Sequence, residues 1–167
     1  MNPNKDRNVE NTSEPYFQRM RKQIGHSSLI LPYVAANIRD AQGNVLLVKK
    51  HNSSIWSFPG GIVEEKEVIE DALKREIREE LGSEVRIVRL RAVYSSPQYD
   101  FSYANGDQVH PLTFFFDCAA EVTSPFTPTE EIETVKFFSS DDLPDMLPCC
   151  KAKAHDAWLP SSEVLLR

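Results

Sequence analysis

Long apolar runs and paired cysteines are both missing from this chain of 167 residues. No apolar run approaches the roughly 20 residues that a membrane-spanning helix needs. Residues 1–11 are polar and lack the apolar core of a signal peptide. The three cysteines, at positions 118, 149 and 150, form neither a disulfide framework nor a zinc-ligand spacing. These absences predict a soluble, cytoplasmic protein with no membrane partner.

A surplus of positive charge is also absent. Lysine and arginine total 19 against 25 aspartates and glutamates, which gives a formal net charge of −6. Such a chain repels a long polyphosphate backbone unless a local basic stripe dominates, and the only dense charge cluster here is acidic. We therefore expect no nucleic-acid polymer among its partners.

The composition fits one globular domain with a core large enough to hold a buried site. Residues 1–13 have almost no apolar anchor and are predicted to be a flexible leader before a single domain at 14–167. Turn and β-rich patterns predict strands at 29–39, 45–49, 84–94 and 132–138, and helices at 15–24 and 151–158. Hairpins are expected at Asp40–Asn44 and at Asn105–Gly106, the second with a type I′ turn. The fold class is therefore α/β or α+β with a mixed sheet.

Acidic residues concentrate between positions 64 and 84, which hold nine of the 25 acids. Apolar residues recur there every four positions, at Ile69, Leu73, Ile77 and Leu81. This spacing predicts an amphipathic helix that ends at Gly82. Three carboxylates, those of Glu76, Glu79 and Glu80, share one arc beside the apolar stripe, and we expect the side chains of Glu79 and Glu80 to be exposed. A hard cation such as Mg²⁺ would offset their repulsion, although a solvated acidic face explains the same pattern.

The segment Trp56-Ser57-Phe58-Pro59-Gly60-Gly61 precedes this helix, and its glycines let the main chain approach a ligand closely. Together the loop and the helix resemble the Nudix hydrolase family. The family box is Gly, five residues, Glu, seven residues, then Arg-Glu-hydrophobic-x-Glu-Glu-x-Gly-hydrophobic. Here it is matched by Gly61, Glu67, Arg75, Glu76, Ile77, Glu79, Glu80 and Gly82. Two positions depart from it: Ser83 replaces the final hydrophobic residue, and Lys66 stands where glycine is common.

The resemblance implies a Nudix-type α/β/α sandwich with a mixed β-sheet. It also implies a pyrophosphohydrolase that cleaves the diphosphate bond of a nucleoside diphosphate linked to another group. The substrate would be a small nucleotide such as ADP-ribose, a nucleotide sugar or a nucleoside triphosphate. The resemblance leaves open whether the chain forms a homodimer. The alternative is a catalytically silent Nudix-like nucleotide-binding or regulatory module, which usually shows losses among the box carboxylates that this chain retains.

The resemblance also assigns expected positions to the box residues. The predicted catalytic residues are Arg75, Glu76, Glu79 and Glu80. The predicted ligands of Mg²⁺ or Mn²⁺ are Glu76, Glu79, Glu80 and the Gly60 carbonyl, with Glu76 open as either a ligand or the base that activates water. Arg75 would orient the neighbouring carboxylates. Gly61, Glu67 and Gly82 would support the site.

Residues outside the box extend the predicted site. Four rings are candidates for stacking on a nucleobase: Tyr94, Tyr99, Phe101 and Tyr103. Cross-strand packing explains the same pattern. Glu130 or Glu131 would be a downstream acid of the kind that some Nudix members use as an extra ligand or base, or else part of a solvated turn.

Overall fold

The computed structural model describes residues 14–122, 125–160 and 162–167, so the predicted leader at 1–13 lies outside the described residues. The helices are α1 (Tyr16–Ile24), α2 (Ile69–Leu81) and α3 (Pro148–Trp158). The strands are β1 (Leu29–Ile38), β2 (Val45–Lys50), β3 (Trp56–Ser57), β4 (Val85–Tyr94), β5 (Phe101–Ser102), β6 (Gln108–Ala120), β7 (Ile132–Phe138) and β8 (Leu165–Leu166). None of the helices in these ranges has the length and apolar character needed to span a membrane.

The strands form two sheets. The larger sheet has the order β1-β6-β4-β8, and β5 pairs with β6 beside this path. It is mixed, because β1 runs parallel to β6 and β8 parallel to β4, whereas β4 and β5 run antiparallel to β6. The smaller sheet is antiparallel, in the order β3-β2-β7. The predicted α/β class with a mixed sheet is confirmed.

Alternate side chains of the central strands pack toward different helices, as the two-residue period of a strand requires. One apolar cluster joins the strands to α2 and includes Val34, Leu46, Phe116, Leu73 and Ile77. The other joins them to α3 and includes Ala35, Leu47, Phe115, Cys150 and Ala154. The strand layer therefore lies between α2 and α3, which gives the predicted sandwich.

The turn at Asp40–Asn44 forms, but the hairpin predicted around it is wrong. The Asp40 carboxylate accepts hydrogen bonds from the backbone N–H groups of Gln42 and Asn44, each at 2.9 Å. The strands on either side then enter different sheets, and a single bridge between Arg39 and Val45 joins them in the described ranges. Turn residues specify a chain reversal, but they do not specify which strand becomes the partner.

The second predicted hairpin, between β5 and β6, is confirmed with a different turn. Gly106 has a φ of 90°, whereas Asn105 does not share the positive φ that a type I′ turn requires at both central residues. The Gly106 N–H donates to the Tyr103 carbonyl, and the Tyr103 N–H donates to the Asp107 carbonyl, both at 2.9 Å, so the loop has three residues. Tyr99, which alternates with Phe101 and Tyr103 in the sequence, lies in a 3₁₀ turn at Pro97–Tyr99 and not in β5.

Candidate active site

The loop over residues 58–68, here called the box loop, is held along β1 by main-chain hydrogen bonds. The Ala36 N–H donates to the Pro59 carbonyl and the Val34 N–H donates to the Gly61 carbonyl, both at 2.9 Å. Between them Gly60 has a φ of 140°, and a Cβ there would lie 2.1 Å from the Val34 oxygen. Only glycine fits this close approach, so Gly60 fixes the path of the loop.

Gly61 makes room for the carboxylate of Glu76. A Cβ added to Gly61 would lie 2.4 Å from the Glu76 carboxyl carbon. Burial raises the pKa of Glu76 above its usual value, although a 2.8 Å hydrogen bond from Arg75 Nη1 opposes the shift. The box loop and α2 therefore meet where a glycine faces a buried acid.

Glu80 is the most deeply buried acid of α2, with 1% of its surface exposed. Its Oε2 accepts a 2.7 Å hydrogen bond from the Gly60 N–H, and Lys50 Nζ lies 3.9 Å from its Oε1. Burial nevertheless raises the pKa of Glu80 to about 8. The expectation of an exposed side chain is wrong for Glu80, because the box loop covers this side of α2. Only the Glu79 side chain, 55% exposed, fits that expectation.

The Arg75 guanidinium joins carboxylates of the box loop to those of α2. Its Nε and Nη2 donate to the two oxygens of Glu67 at 2.8 and 2.9 Å. Its Nη1 donates to Glu76 at 2.8 Å and to Glu79 at 3.2 Å. The bonds from Arg75 lower the pKa of Glu67 below its usual value. Arg75 thus sets the relative positions of three acids, and Gly82, with a φ of 64°, ends the helix that carries two of them.

Of the two predicted downstream acids, the structure brings Glu131 to the site. Lys50 Nζ donates to Glu131 and also faces Glu80. The negative charge of Glu131 contributes to the raised pKa values of Glu80 and Glu76. Glu130 is exposed and makes no contact with these groups in the described part of the chain. Sequence reasoning missed Lys50, because only the register of β2 against β7 brings it beside these acids.

The chemistry of this donor set suits a hard divalent cation, which prefers carboxylate and carbonyl oxygens. Positive charge beside Glu76 and Glu80 would offset the unfavourable burial of their carboxylates. Among the described residues, however, no three acidic, histidine or cysteine side chains converge in a preformed metal geometry. Arg75 and Lys50 hold the carboxylates instead. The residue types therefore fit a cation, and a cation would have to compete with two basic side chains.

Tyr94 and Tyr99 belong to the core. They are 1% and 7% exposed, and their rings pack edge-on at a centroid distance of 5.6 Å in the cluster against α3. The Tyr94 hydroxyl donates to Asp156 at 2.9 Å. This burial corrects the expectation of base stacking for these two rings, because neither presents a face to a ligand.

Phe101 and Tyr103 instead join a partly exposed ring cluster, which we define as Phe17, Tyr33, Phe101 and Tyr103. The Tyr103 ring lies 5.2 Å from that of Phe101 and 5.9 Å from that of Phe17, and Tyr103 is 40% exposed. Its hydroxyl lies 3.2 Å from the Tyr33 hydroxyl, and Tyr33 forms a β-bridge with Ile62 of the box loop. Sequence reasoning missed Phe17 and Tyr33, because they come from distant parts of the chain.

A family model described as NUDIX domain matches residues 30–161, most of the chain. The chain belongs to the NUDIX family. The part matched to the NUDIX domain begins inside β1 and ends beyond α3, so it contains the box loop, α2 and every strand except β8 and the first residue of β1. Helix α1 lies before it.

Similar proteins agree with the NUDIX assignment. An ADP-ribose pyrophosphatase from Methanocaldococcus jannaschii is 30% identical over 119 residues, covering 69% of this chain and 66% of that protein. The nucleoside triphosphatase NudI from Escherichia fergusonii is 34% identical over 91 residues, covering 53% of this chain and 64% of that protein. The chain thus spans just under two thirds of the length of these relatives. The crystal structure of an ADP-ribose pyrophosphatase from Streptococcus suis superposes with a TM-score of 0.66 at 22% identity, covering 82% of this chain and 98% of that one.

Proposed function

We propose that this NUDIX chain hydrolyses the diphosphate bond of a small nucleotide in which a nucleoside diphosphate is linked to another group. The observation that carries the proposal is the pair of buried carboxylates, Glu76 and Glu80, held against a glycine loop in a site where acids outnumber bases. The names of the relatives, ADP-ribose pyrophosphatase and nucleoside triphosphatase, support the same class of reaction.

A diphosphate and a hydroxide repel each other, so hydrolysis needs positive charge beside the reacting phosphorus. Glu79, Glu80 and the Gly60 carbonyl would hold Mg²⁺ or Mn²⁺, and Glu76 would act either as a further ligand or as the base that activates water. When bound, the cation would neutralise phosphate charge and lower the pKa of water. The bonds from Gly60 to Glu80 and from Arg75 to Glu76 keep these carboxylates in place before substrate arrives.

Glu76 is our candidate for the residue that accepts the proton from water. Arg75 binds its Oε1, which leaves Oε2 available as the acceptor. Glu131 is the second candidate, because it reaches the same site from the loop before β7 and is 48% exposed. The bond from Arg75 fixes the direction of the Glu76 carboxylate, which favours Glu76.

The nucleoside would bind at the ring cluster beside the box loop. Stacking of a base on an aromatic ring is sequence-tolerant and contributes about 1–3 kcal/mol, and Tyr103 presents the most exposed ring of the cluster. The hydroxyls of Tyr33 and Tyr103 add polar contacts at its edge. Replacing Tyr103 with alanine should therefore raise KM roughly tenfold or more with little change in turnover.

A substrate panel tests the proposal. ADP-ribose, a nucleotide sugar, nucleoside triphosphates and a capped RNA would be incubated with Mg²⁺ or Mn²⁺, and the monophosphate and phosphate products measured. We expect a nucleoside monophosphate from a small substrate, with no turnover in excess chelator. Calorimetric binding of a nonhydrolysable diphosphate without any turnover would identify the silent module instead. Turnover that survives the chelator would contradict the proposed chemistry.

A further inference from the structure

Helix α1 precedes the matched NUDIX range, yet it contacts two parts of the site. None of its residues is buried, so a hydrophobic core does not hold it in place. Its polar and aromatic contacts reach the box loop on one side and the β5–β6 hairpin on the other. A helix attached in this way can influence the site through those contacts.

The box loop caps the N-terminus of α1. The first residue of the helix, Tyr16, has an N–H without a partner inside the helix, and the preceding Pro15 supplies no side-chain cap. The Glu64 carboxylate accepts from the Tyr16 N–H at 2.9 Å. One turn later Arg19 pairs with Glu65. A carboxylate at a helix N-terminus is stabilising, so both contacts hold α1 and the loop together.

The other side of α1 is attached to the hairpin. Arg21 Nη2 donates to the Gln108 carbonyl at 2.6 Å, and its Nε lies 3.5 Å from the Asp107 carboxylate. The Phe17 ring packs on Tyr103. The helix therefore bridges the hairpin and the box loop.

Between the two contacts with α1 and the Glu67–Arg75 pair lies a strained residue. Lys66 has a φ of 67°, a left-handed conformation that side chains other than glycine rarely adopt. This is the position where the box commonly has glycine. The strain at Lys66 must be offset by contacts that the residues before and after it make. Helix α1 makes the contacts of the preceding residues, Glu64 and Glu65.

The contacts after Lys66 lead to the acids of α2. The Glu64 N–H donates to the Glu67 carboxylate at 2.9 Å, and Glu67 binds Arg75 through two hydrogen bonds. Arg75 in turn binds Glu76 and Glu79. A continuous series of hydrogen bonds therefore runs from the first turn of α1 to two of the candidate catalytic residues.

We propose that α1 is a positioning element of the active site. Through Glu64 and Glu65 it holds the box loop in the strained conformation at Lys66 that places Glu67 on Arg75. Arg19 and Glu64 are positioning residues, since they act through the loop and touch no reacting atom. The proposal rests on the proposed hydrolase function for its effect on turnover, and on geometry alone for its effect on the loop.

Substitution of Arg19 tests the effect on turnover. Arg19→Ala should lower kcat roughly three- to tenfold at unchanged KM, because a residue that acts on the site only through a series of contacts has a modest effect. Glu65→Gln, which removes the charge of the residue that Arg19 pairs with, should lower kcat by the same factor. Arg19→Lys keeps the positive charge and should retain most of the wild-type kcat. The control is Lys22→Ala, since Lys22 lies on the same helix as Arg19 but pairs with Glu14, which precedes the helix, and not with the box loop. Equal kcat values in Arg19→Ala and Lys22→Ala would overturn the proposal.

Relief of the strain at Lys66 provides a second test. In a Lys66→Gly background the loop no longer depends on α1, so Arg19→Ala should lower kcat less than twofold. An undiminished effect would show that Arg19 acts by another route. These exposed pairs contribute little to global stability, so all the variants should remain folded.

Amide hydrogen exchange separates this proposal from the proposed function. In Arg19→Ala the backbone amides of Glu64 and Glu67 should exchange at least several times faster, with the interior amides of α2 unchanged. Unchanged exchange would overturn the positioning proposal whether or not the chain hydrolyses nucleotides. Faster exchange without turnover on any substrate would reject the hydrolase function and leave the structural coupling standing.

Discussion

Two charged clusters in this molecule have opposite charge balances. The box cluster, defined as Lys50, Glu67, Arg75, Glu76, Glu79, Glu80 and Glu131, has five acids and two bases. The Asp117 cluster, defined as Asp117, Asn37, Arg89 and Arg91, has one acid and two bases. Both lie against the sheets and both contain buried side chains. The pKa of Asp117 and those of the two buried acids of the box cluster, Glu76 and Glu80, nevertheless shift in opposite directions.

Burial alone would raise the pKa of Asp117, but the bonds it accepts from Arg91, Asn37 and Arg89 outweigh burial and leave that pKa below its usual value. In the box cluster burial prevails, and the pKa values of Glu76 and Glu80 are raised. A carboxylate with matched partners stabilises a fold, whereas buried acids in excess of their partners are unfavourable until a cation or a proton arrives. This difference supports a structural role for the Asp117 cluster and the catalytic role that we propose for the box cluster.

The largest expected effect is that of Glu80→Gln on turnover. Loss of this carboxylate should lower kcat by a factor of about 100 or more, because a proposed ligand of the cation is removed while the shape of the side chain is kept. The fold should survive, since the change removes a charge whose burial is unfavourable. Steady-state kinetics with circular dichroism on the same samples would check both. Lost activity with a collapsed spectrum would instead make Glu80 a structural acid.

Gly61→Ala tests whether the position of the Glu76 carboxylate matters. The added methyl group would overlap the carboxylate, so Glu76 must move and kcat should fall roughly tenfold to a hundredfold. Gly43→Ala is the control, because nothing lies within 4 Å of a Cβ added to Gly43, although its positive φ of 84° adds a backbone strain that Gly61 does not have. It should be destabilised by about 1–2 kcal/mol and keep its turnover. Equal kinetics in the two variants would show that the contact with Glu76 has no consequence.

The helix that carries these acids could be predicted from the sequence, because its signals are local. Apolar residues every four positions and a glycine stop define α2 without reference to the rest of the fold. The burial of Glu80 could not be predicted in this way, since it depends on the path of the box loop along β1. The same limit applies to Tyr94. The sequence pattern predicts the strand that ends at Tyr94, but it does not indicate which face of that strand packs against α3.

The sequence also does not predict which strands pair, because the paired strands are far apart along the chain. The residues at Asp40–Asn44 predict a turn, yet the sheets to which β1 and β2 belong are decided by β6 and β7, far along the chain. Strands β3 and β8 have two residues each, too few for any periodicity. Lys66 departs from the family box, which commonly has glycine at this position. Its positive φ explains the preference for glycine, because residues other than glycine rarely adopt this conformation.

Asp117→Asn should show the opposite phenotype to Glu80→Gln. It removes a charge that three donors satisfy, so the free energy of unfolding should fall by about 2 kcal/mol, while the folded enzyme keeps its turnover. Denaturant titration and kinetics on the folded fraction would measure both quantities. A loss of turnover at full stability would erase the distinction between the clusters.

The pH dependence of stability is the smallest expected effect. The pKa of Asp117 is lower in the folded state, so its contribution is present above its unfolded pKa of about 3.9 and is lost as pH falls through the folded value. The wild type should therefore lose stability more steeply below about pH 4 than Asp117→Asn does. Parallel curves of unfolding free energy against pH for the two proteins would contradict this assignment.

The most direct test of the functional assignment to the box cluster is the binding of Mn²⁺, measured by calorimetry on the wild type, Glu80→Gln and Asp117→Asn. Because acids outnumber bases in the box cluster, we expect Glu80→Gln to weaken the affinity for Mn²⁺ at least tenfold. Asp117→Asn should change that affinity less than twofold. Equal affinities in all three proteins would contradict the account.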